Sequence, residues 1–305
     1  MRVLHPRLAR FERGFSVSTL QRIEEPLFAR LKLELWIKRD DLLHPVVSGN
    51  KWRKLKYSLN DALHQDARCI VSMGGAYSNF LHALAFACRE LGLCSQGFVR
   101  GEMPARLSPT LLDLRGFGMA LHFTPRDAYR ELRLFNTAGG LPMLSAGDYW
   151  LPEGGSCLQA LRGVGEIVRE IAFGYDFFCC ACGTGATLAG LIGETPPPQK
   201  VLGVAVLKNA GYLRGQVADW LRELGLKRDN WELLLDYHGG GFGKARTELL
   251  DFMHEFQRRH GVRLEPVYTG KLLFAVFDLA RRGYFPAGSR IVVLHSGGLQ
   301  GWREE

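Results

Sequence analysis

Apolar residues in this chain fall into two patterns that alternate almost from end to end. One is a short continuous run, which reads as a strand buried on both faces. The other recurs every three or four residues, which reads as a helix with one buried face. In the first half this predicts strands over 33–37, 69–73, 95–99 and 119–123, and helices over 80–91 and 105–114. Gly92 ends the first of these helices, and Thr124 is expected to cap another with Pro125 at its first position. In the second half strands are expected over 176–182, 200–207, 231–237 and 290–295, with helices over 211–223, 245–259 and 270–281. Strand–helix alternation of this kind implies an α/β fold with parallel, doubly wound sheets. At 305 residues the chain has room for two lobes. The Gly/Pro-rich stretch from Gly139-Gly140-Leu141-Pro142 to Gly154-Gly155 is the expected hinge, and Pro196-Pro197-Pro198 a loop.

Two places where an apolar run breaks into glycine carry chemistry. After the strand at 33–37, Ser48-Gly49-Asn50-Lys51 puts a lysine at a helix start. Held close to backbone and away from water, its pKa falls and it becomes a neutral amine able to form a Schiff base with an aldehyde. Lys51, Arg53, Lys54 and Lys56 read equally as surface charges at a solvated helix end. The second break is Gly183-Thr184-Gly185-Ala186-Thr187, between the strand at 176–182 and a helix of small residues. Backbone N–H groups and two threonine hydroxyls converge there where the helix dipole favours an anion, forming a phosphate cup. Leu188 stands where a dinucleotide fingerprint needs glycine, and no Gly-Lys-Ser/Thr closes a Walker loop. An aldehyde for Lys51 and a phosphate for the cup together describe pyridoxal 5'-phosphate.

Three further blocks have local structural readings. In Gly74-Gly75-Ala76-Tyr77-Ser78-Asn79, Ser78 or Asn79 suits a helix N-cap; Tyr268 suits an aromatic at a strand-to-helix corner; Ser296 suits a turn before Gly297-Gly298. Taken in order, these blocks resemble the aminocyclopropane-carboxylate deaminase and D-cysteine desulfhydrase family, within the tryptophan-synthase-β-like pyridoxal-phosphate enzymes. The resemblance rests on Leu35-Trp36-Ile37-Lys38-Arg39-Asp40-Asp41, Gly49-Asn50-Lys51 with Arg53-Lys54, Gly74 to Asn79, Gly183 to Thr187, Pro266-Val267-Tyr268-Thr269-Gly270-Lys271 and His295-Ser296-Gly297-Gly298. It implies fold type II: two doubly wound lobes with the cofactor in the cleft, a small lobe at 53–146 inserted into a large one at 1–52 and 147–305. It implies catalytic roles for Lys51, Ser78 and Tyr268. It implies cofactor contacts from Lys51, Lys54, Asn79 (to the ring hydroxyl), Gly183, Thr184, Gly185, Ala186, Thr187, Thr269 and Ser296.

Three positions depart from the deaminases of that family. Phe80 replaces a hydrogen-bonding residue expected near the substrate carboxylate. Thr269 stands where a glutamate supports the ring nitrogen, and Ser296 where the deaminases carry leucine. A neutral hydroxyl stabilises a pyridinium charge less than a carboxylate does. The expectation is therefore β-elimination from a small amino acid, D-cysteine desulfhydrase-like, giving a 2-oxo acid and ammonia. The alternatives are cyclopropane opening, β-replacement, or a non-catalytic relative that keeps the cofactor for binding or sensing.

Composition narrows this little. Hydrophobic residues make up 47% and charged residues 23%, and the net charge is +8. The basic residues are scattered and not interleaved with exposed aromatics, so no nucleic-acid partner is expected. No apolar run is long enough to span a membrane. Seven cysteines, three of them (Cys179, Cys180 and Cys182) inside a run read as a buried strand, argue against a disulfide framework or zinc, and for a reducing cytoplasm. The arginine-rich start, residues 1–14, reads as a surface segment. His82, His238 and His295 have no metal spacing and read as structural. Gly239-Gly240-Gly241-Phe242-Gly243 is expected as a loop near the site, and a homodimer is expected.

Overall fold

A computed structural model describes residues 3–135 and 144–302. Helix α1 (Pro6–Glu12), strand β1 (Leu20–Ile23), helix α2 (Pro26–Arg30) and strand β2 (Glu34–Lys38) open the chain. Then come α3 (Asn50–His64), β3 (Cys69–Gly74), α4 (Asn79–Glu90), β4 (Cys94–Arg100), α5 (Pro109–Gly116), β5 (Met119–Thr124) and α6 (Arg126–Leu132). After β6 (Asp148–Trp150) follow α7 (Leu158–Arg169), β7 (Phe177–Cys182), α8 (Ala186–Glu194), β8 (Lys200–Ala205) and α9 (Leu213–Glu223). The chain ends with β9 (Trp231–Leu234), α10 (Thr247–His260), α11 (Thr269–Arg281) and β10 (Arg290–Leu294).

The strands form two sheets, one in the order β1-β2-β10-β7-β8-β9 and one in the order β5-β4-β3-β6. Every pairing is parallel except β1 with β2. β1 is a half-polar edge strand, so it carries no continuous apolar run and was not anticipated. Both sheets are covered on both faces, as a parallel sheet requires. In the larger sheet, Phe28, Phe256, Leu272 and Val276 cover one face, and Leu161, Leu188, Leu191 and Val217 the other. In the smaller sheet, Leu55, Leu59, Leu81, Leu84 and Leu111 cover one face, with Tyr129, Leu132 and Trp150 on the other. This is the doubly wound α/β architecture that the alternation predicts.

Three expectations are corrected and one helix is added. The first 14 residues are not all surface: α1 buries Leu8 completely in the core of the smaller sheet. α5 starts at Pro109, not at 105, because Ser108 caps it, its Oγ accepting the Leu111 N–H at 3.2 Å. Thr124 caps nothing: it ends β5 and donates to the His122 carbonyl, while Pro125 takes the cap position of α6. α7 was not foreseen, since its start lacks a side-chain cap and its middle carries Gly163 and Gly165. The glycine at 163 has a packing reason. A Cβ there would overlap the Arg53 carbonyl oxygen, so α3 and α7 touch backbone to backbone. β6 joins the smaller sheet at Asp148–Trp150, just past the expected lobe boundary of 146. Of the expected hinge, residues 139–142 lie outside the described residues, and Gly154-Gly155 lies in the loop after β6.

Candidate functional site

Lys51 lies in the first turn of α3, and the turn that delivers it is fixed by the last strand. Gly49, with φ +66°, is the N-cap; a Cβ there would overlap the Ser296 carbonyl oxygen. Only glycine fits, because both the dihedral and the space exclude a side chain. Behind the helix an ionic lattice holds its angle. Arg53 donates to Asp40 at 3.0 Å and to Glu170 at 2.7 Å, and buried Lys38 reaches Glu170 at 2.7 Å. Much of the Lys38–Asp41 block and Arg53 is thus structural. In front, the Lys51 amine donates to Asn50 Oδ1, and Asn50 Nδ2 donates to Thr187 Oγ1 at 2.8 Å. Burial and neighbouring Lys54 lower the Lys51 pKa to about 7, against an opposing pull from Glu265. One turn on, Lys54 donates to the Gly154 carbonyl at 3.1 Å, and burial brings it down to about 8.

The glycine turn after β7 meets this helix start. Gly185 is left-handed, φ +82°, and opens α8 without any side-chain cap. The N–H groups of that first turn are therefore left for another acceptor. Thr187 is tied to Asn50, and Thr184 Oγ1 accepts from Ser156 Oγ at 2.8 Å. The loop at 153–156 thus touches both Lys54, through the Gly154 carbonyl, and the cup, through Ser156.

Tyr268 is the N-cap of α11 and lies over the turn, its Cε1 3.3 Å from where a Gly183 Cβ would be. Its ring centroid is 5.8 Å from Lys51 Nζ, and Phe242 meets it edge-on at 6.0 Å. Burial, with Glu265, Glu153 and Cys182 nearby, pushes its hydroxyl pKa well up, so it stays protonated. Thr269 is buried, and its hydroxyl is committed locally. It accepts the Glu265 N–H at 2.9 Å and lies 3.3 Å from Glu265 Oε1. Ser296 is buried behind Gly49, its backbone carbonyl against that glycine. Lys271 donates to the Gly241 carbonyl at 2.8 Å, which anchors the glycine loop carrying Phe242 beside Tyr268.

From the smaller sheet, Ser78 caps α4, its Oγ accepting the Leu81 N–H at 3.2 Å. Asn79 Oδ1 accepts from Gln300 at 2.7 Å, and its Nδ2 lies 2.8 Å from where a Gly298 Cβ would be. Asn79 thus reaches the segment that follows Ser296. Phe80 does not stand in an open carboxylate pocket. It is 3% exposed, packed so tightly on Gly155 that a Cβ there would overlap its ring. His82 lies 3.1 Å from Asp113, His238 accepts the Gly240 N–H, and His295 contacts the Arg263 carbonyl at 2.7 Å. Each has a local structural partner.

Sequence reading passed over Asn50, Ser156 and Glu265. Asn50 and Ser156 are linkers visible only once elements are brought together. Glu265, three residues before the N-cap Tyr268, did carry a signal: an acidic residue ahead of a helix start. A separate groove of about 790 Å³, lined by Tyr57, Asp61, Leu158, Arg162, Glu194 and Leu224 among others, contains none of these site residues.

A neutral amine, an uncapped helix N-terminus and a second lysine beside it fit an aldehyde bearing a phosphate. Known proteins agree. A protein of Burkholderia vietnamiensis named 1-aminocyclopropane-1-carboxylate deaminase is 30% identical, covering 96% of this chain and 95% of its own. One of Pyrococcus horikoshii, provisionally given the same name, is 31% identical, covering 88% and 85%. The crystal structure of an ACC deaminase homologue superposes with a TM-score of 0.79 at 28% identity, covering 98% and 96%. The model of the family described as "Pyridoxal-phosphate dependent enzyme" matches residues 18–297. With nearly the whole chain inside that match, and with Lys51, the glycine cup and Tyr268 gathered at one place, the protein belongs to the pyridoxal-phosphate-dependent enzymes and uses pyridoxal 5'-phosphate as its cofactor.

Proposed function

We propose that the protein is a D-cysteine desulfhydrase-like lyase. It removes the Cα proton of a small amino acid and eliminates the β-substituent, and water hydrolyses the resulting imine to a 2-oxo acid and ammonia. The observation that carries this reading is the acid-free position after Tyr268. Thr269 offers a hydroxyl already engaged with Glu265, and Ser296 offers a second hydroxyl. Bound here, pyridoxal phosphate supplies the electron sink that acidifies Cα–H. A weaker sink suffices for a good leaving group such as hydrosulfide and handicaps the opening of a cyclopropane.

The chain's own residues divide the remaining work. Lys51 would hold the cofactor's aldehyde carbon through its amine nitrogen and would take the Cα proton at Nζ. The backbone N–H groups of Gly183 to Thr187 and the Lys54 ammonium hold the phosphate. The Asn79 amide donates to the ring hydroxyl oxygen. Ser78, whose oxygen already accepts from Leu81, keeps its proton to donate to the substrate carboxylate. Tyr268 stays protonated beside Lys51 and shields it from water. The cysteines, all free thiols, support a cytoplasmic setting. Among the described residues, no helix is long and apolar enough to cross a membrane. A homodimer belongs to the same reading, and light scattering tests it against the 34.2 kDa chain mass.

Aminocyclopropane-carboxylate deamination is the second reading. It is favoured by the names of the relatives and by the buried Glu265 carboxylate next to Thr269. The two separate by product. Purified holoenzyme given D-cysteine or β-chloroalanine should release pyruvate, and given the cyclopropane substrate little 2-oxobutanoate. Dominant 2-oxobutanoate production would replace the first reading by the second.

A further inference from the structure

Glu265 is 2% exposed and lies in the turn that delivers Tyr268. Its two oxygens accept three consecutive backbone N–H groups, Val267 at 2.8 Å, Tyr268 at 2.7 Å and Thr269 at 2.7 Å. A side chain that only accepts, from three donors and a neighbouring hydroxyl, is an ionised carboxylate. It is also placed on the site. Its Cγ is 3.4 Å, and the Asn79 Nδ2 2.8 Å, from the point where a Gly298 Cβ would be, so the carboxylate and the Asn79 amide converge on one glycine. The residue three positions later, Tyr268, sets its ring 5.8 Å from Lys51 Nζ.

We propose that Glu265 is a positioning residue of the site, pinning the Tyr268 turn while serving as the buried counter-charge to the Lys51 amine. This rests on Lys51 being the residue that binds the cofactor. An N-terminal cap alone would need no negative charge buried at 2% exposure, since a hydroxyl or amide side chain serves that purpose. The charge has a use here. Burial and Lys54 both drive the Lys51 amine toward neutrality, and Glu265 opposes them. The charged and titratable groups facing the pair are Lys54 from α3, Tyr268 at the start of α11, and Lys271 one turn further, which Glu265 also pulls toward its charged form. Burial leaves the Glu265 carboxyl above its ordinary value, although its three N–H bonds and Lys51 pull it down part of the way. Without this carboxylate Lys51 would lose its proton at lower pH, and the Tyr268 turn would lose one of its acceptors.

The test uses the full chain freed of cofactor. The rate at which trinitrobenzenesulfonate modifies Lys51 is followed across pH 5 to 9 by peptide mapping, a readout independent of substrate and turnover. Glu265→Gln should move the midpoint of that profile down by roughly half a unit or more. Glu265→Asp, which keeps the charge but shortens its reach, should stay near the parent midpoint while lowering thermal stability. A pure cap would change stability in both variants and leave both profiles in place. That outcome, or an aspartate shift as large as the glutamine one, overturns the proposal. A glutamine variant that does not fold overturns it too, since Glu265 would then belong to the fold and not to the site. Failure of the substrate reading in the pyruvate assay leaves this profile untouched, so the two are told apart.

Discussion

A lysine with an ordinary pKa near 10.5 is neutral in roughly one molecule in three thousand at pH 7, whereas one near 7 is neutral about half the time. Lys51 is in the second situation. That gain of about a thousandfold in reactive amine comes from where α3 begins, not from a special residue type. Capture of pyridoxal phosphate by the cofactor-free protein should therefore rise with pH only to about 7 and then level off, because the amine is already neutral above its midpoint. An ordinary lysine would keep the rate climbing through pH 9. Borohydride reduction and peptide mapping should place the label on Lys51. Label on Lys54, Lys56 or Lys271, or a rate still rising at pH 9, would overturn the assignment.

At the scale of elements, β7, the glycine turn and α8 are the proposed phosphate site, offering backbone N–H groups of an uncapped helix start. Gly185 is left-handed, and a Cβ on it would also come within 3.2 Å of Val217. Gly185→Val should distort the turn and weaken cofactor binding at least tenfold, or ~1.4 kcal/mol, in an absorbance titration. Unchanged affinity would move the phosphate elsewhere. This unit was legible in the sequence because a continuous apolar run, a glycine turn and a small-residue helix are each local signals. α7 was not, because its glycines answer to a neighbour: Gly163 exists for the Arg53 carbonyl on α3. Phe80 shows the same dependence, since which way a helix side chain faces is set by its packing partner, here Gly155. The buried charge of Glu265 likewise exists only once α11, β10 and α3 have met.

At the scale of the molecule, one loop joins the two sheets at the site. Glu153 accepts from the Tyr129 hydroxyl at 2.7 Å and from Arg133 at 2.6 Å, both on or beside α6 of the smaller sheet. The next residues reach the other way. The Gly154 carbonyl holds Lys54, Gly155 lies under Phe80, and Ser156 bonds Thr184 in the cup. Glu153 is thus the clamp through which the smaller sheet steadies the residues around the proposed phosphate site. Tyr129 is 1% exposed, so removing its acceptor leaves a buried hydroxyl unpaired, at a cost of ~1–3 kcal/mol. The Arg133 pair is half-exposed and adds little by comparison. Glu153→Ala should lower the unfolding free energy of the cofactor-free protein, read from urea titration, by that amount and loosen cofactor binding several-fold, as the Gly154 carbonyl loses its support. Glu153→Gln, which still accepts from Tyr129, should recover most of both. An alanine variant as stable as the parent would mean that the loop stands without the clamp.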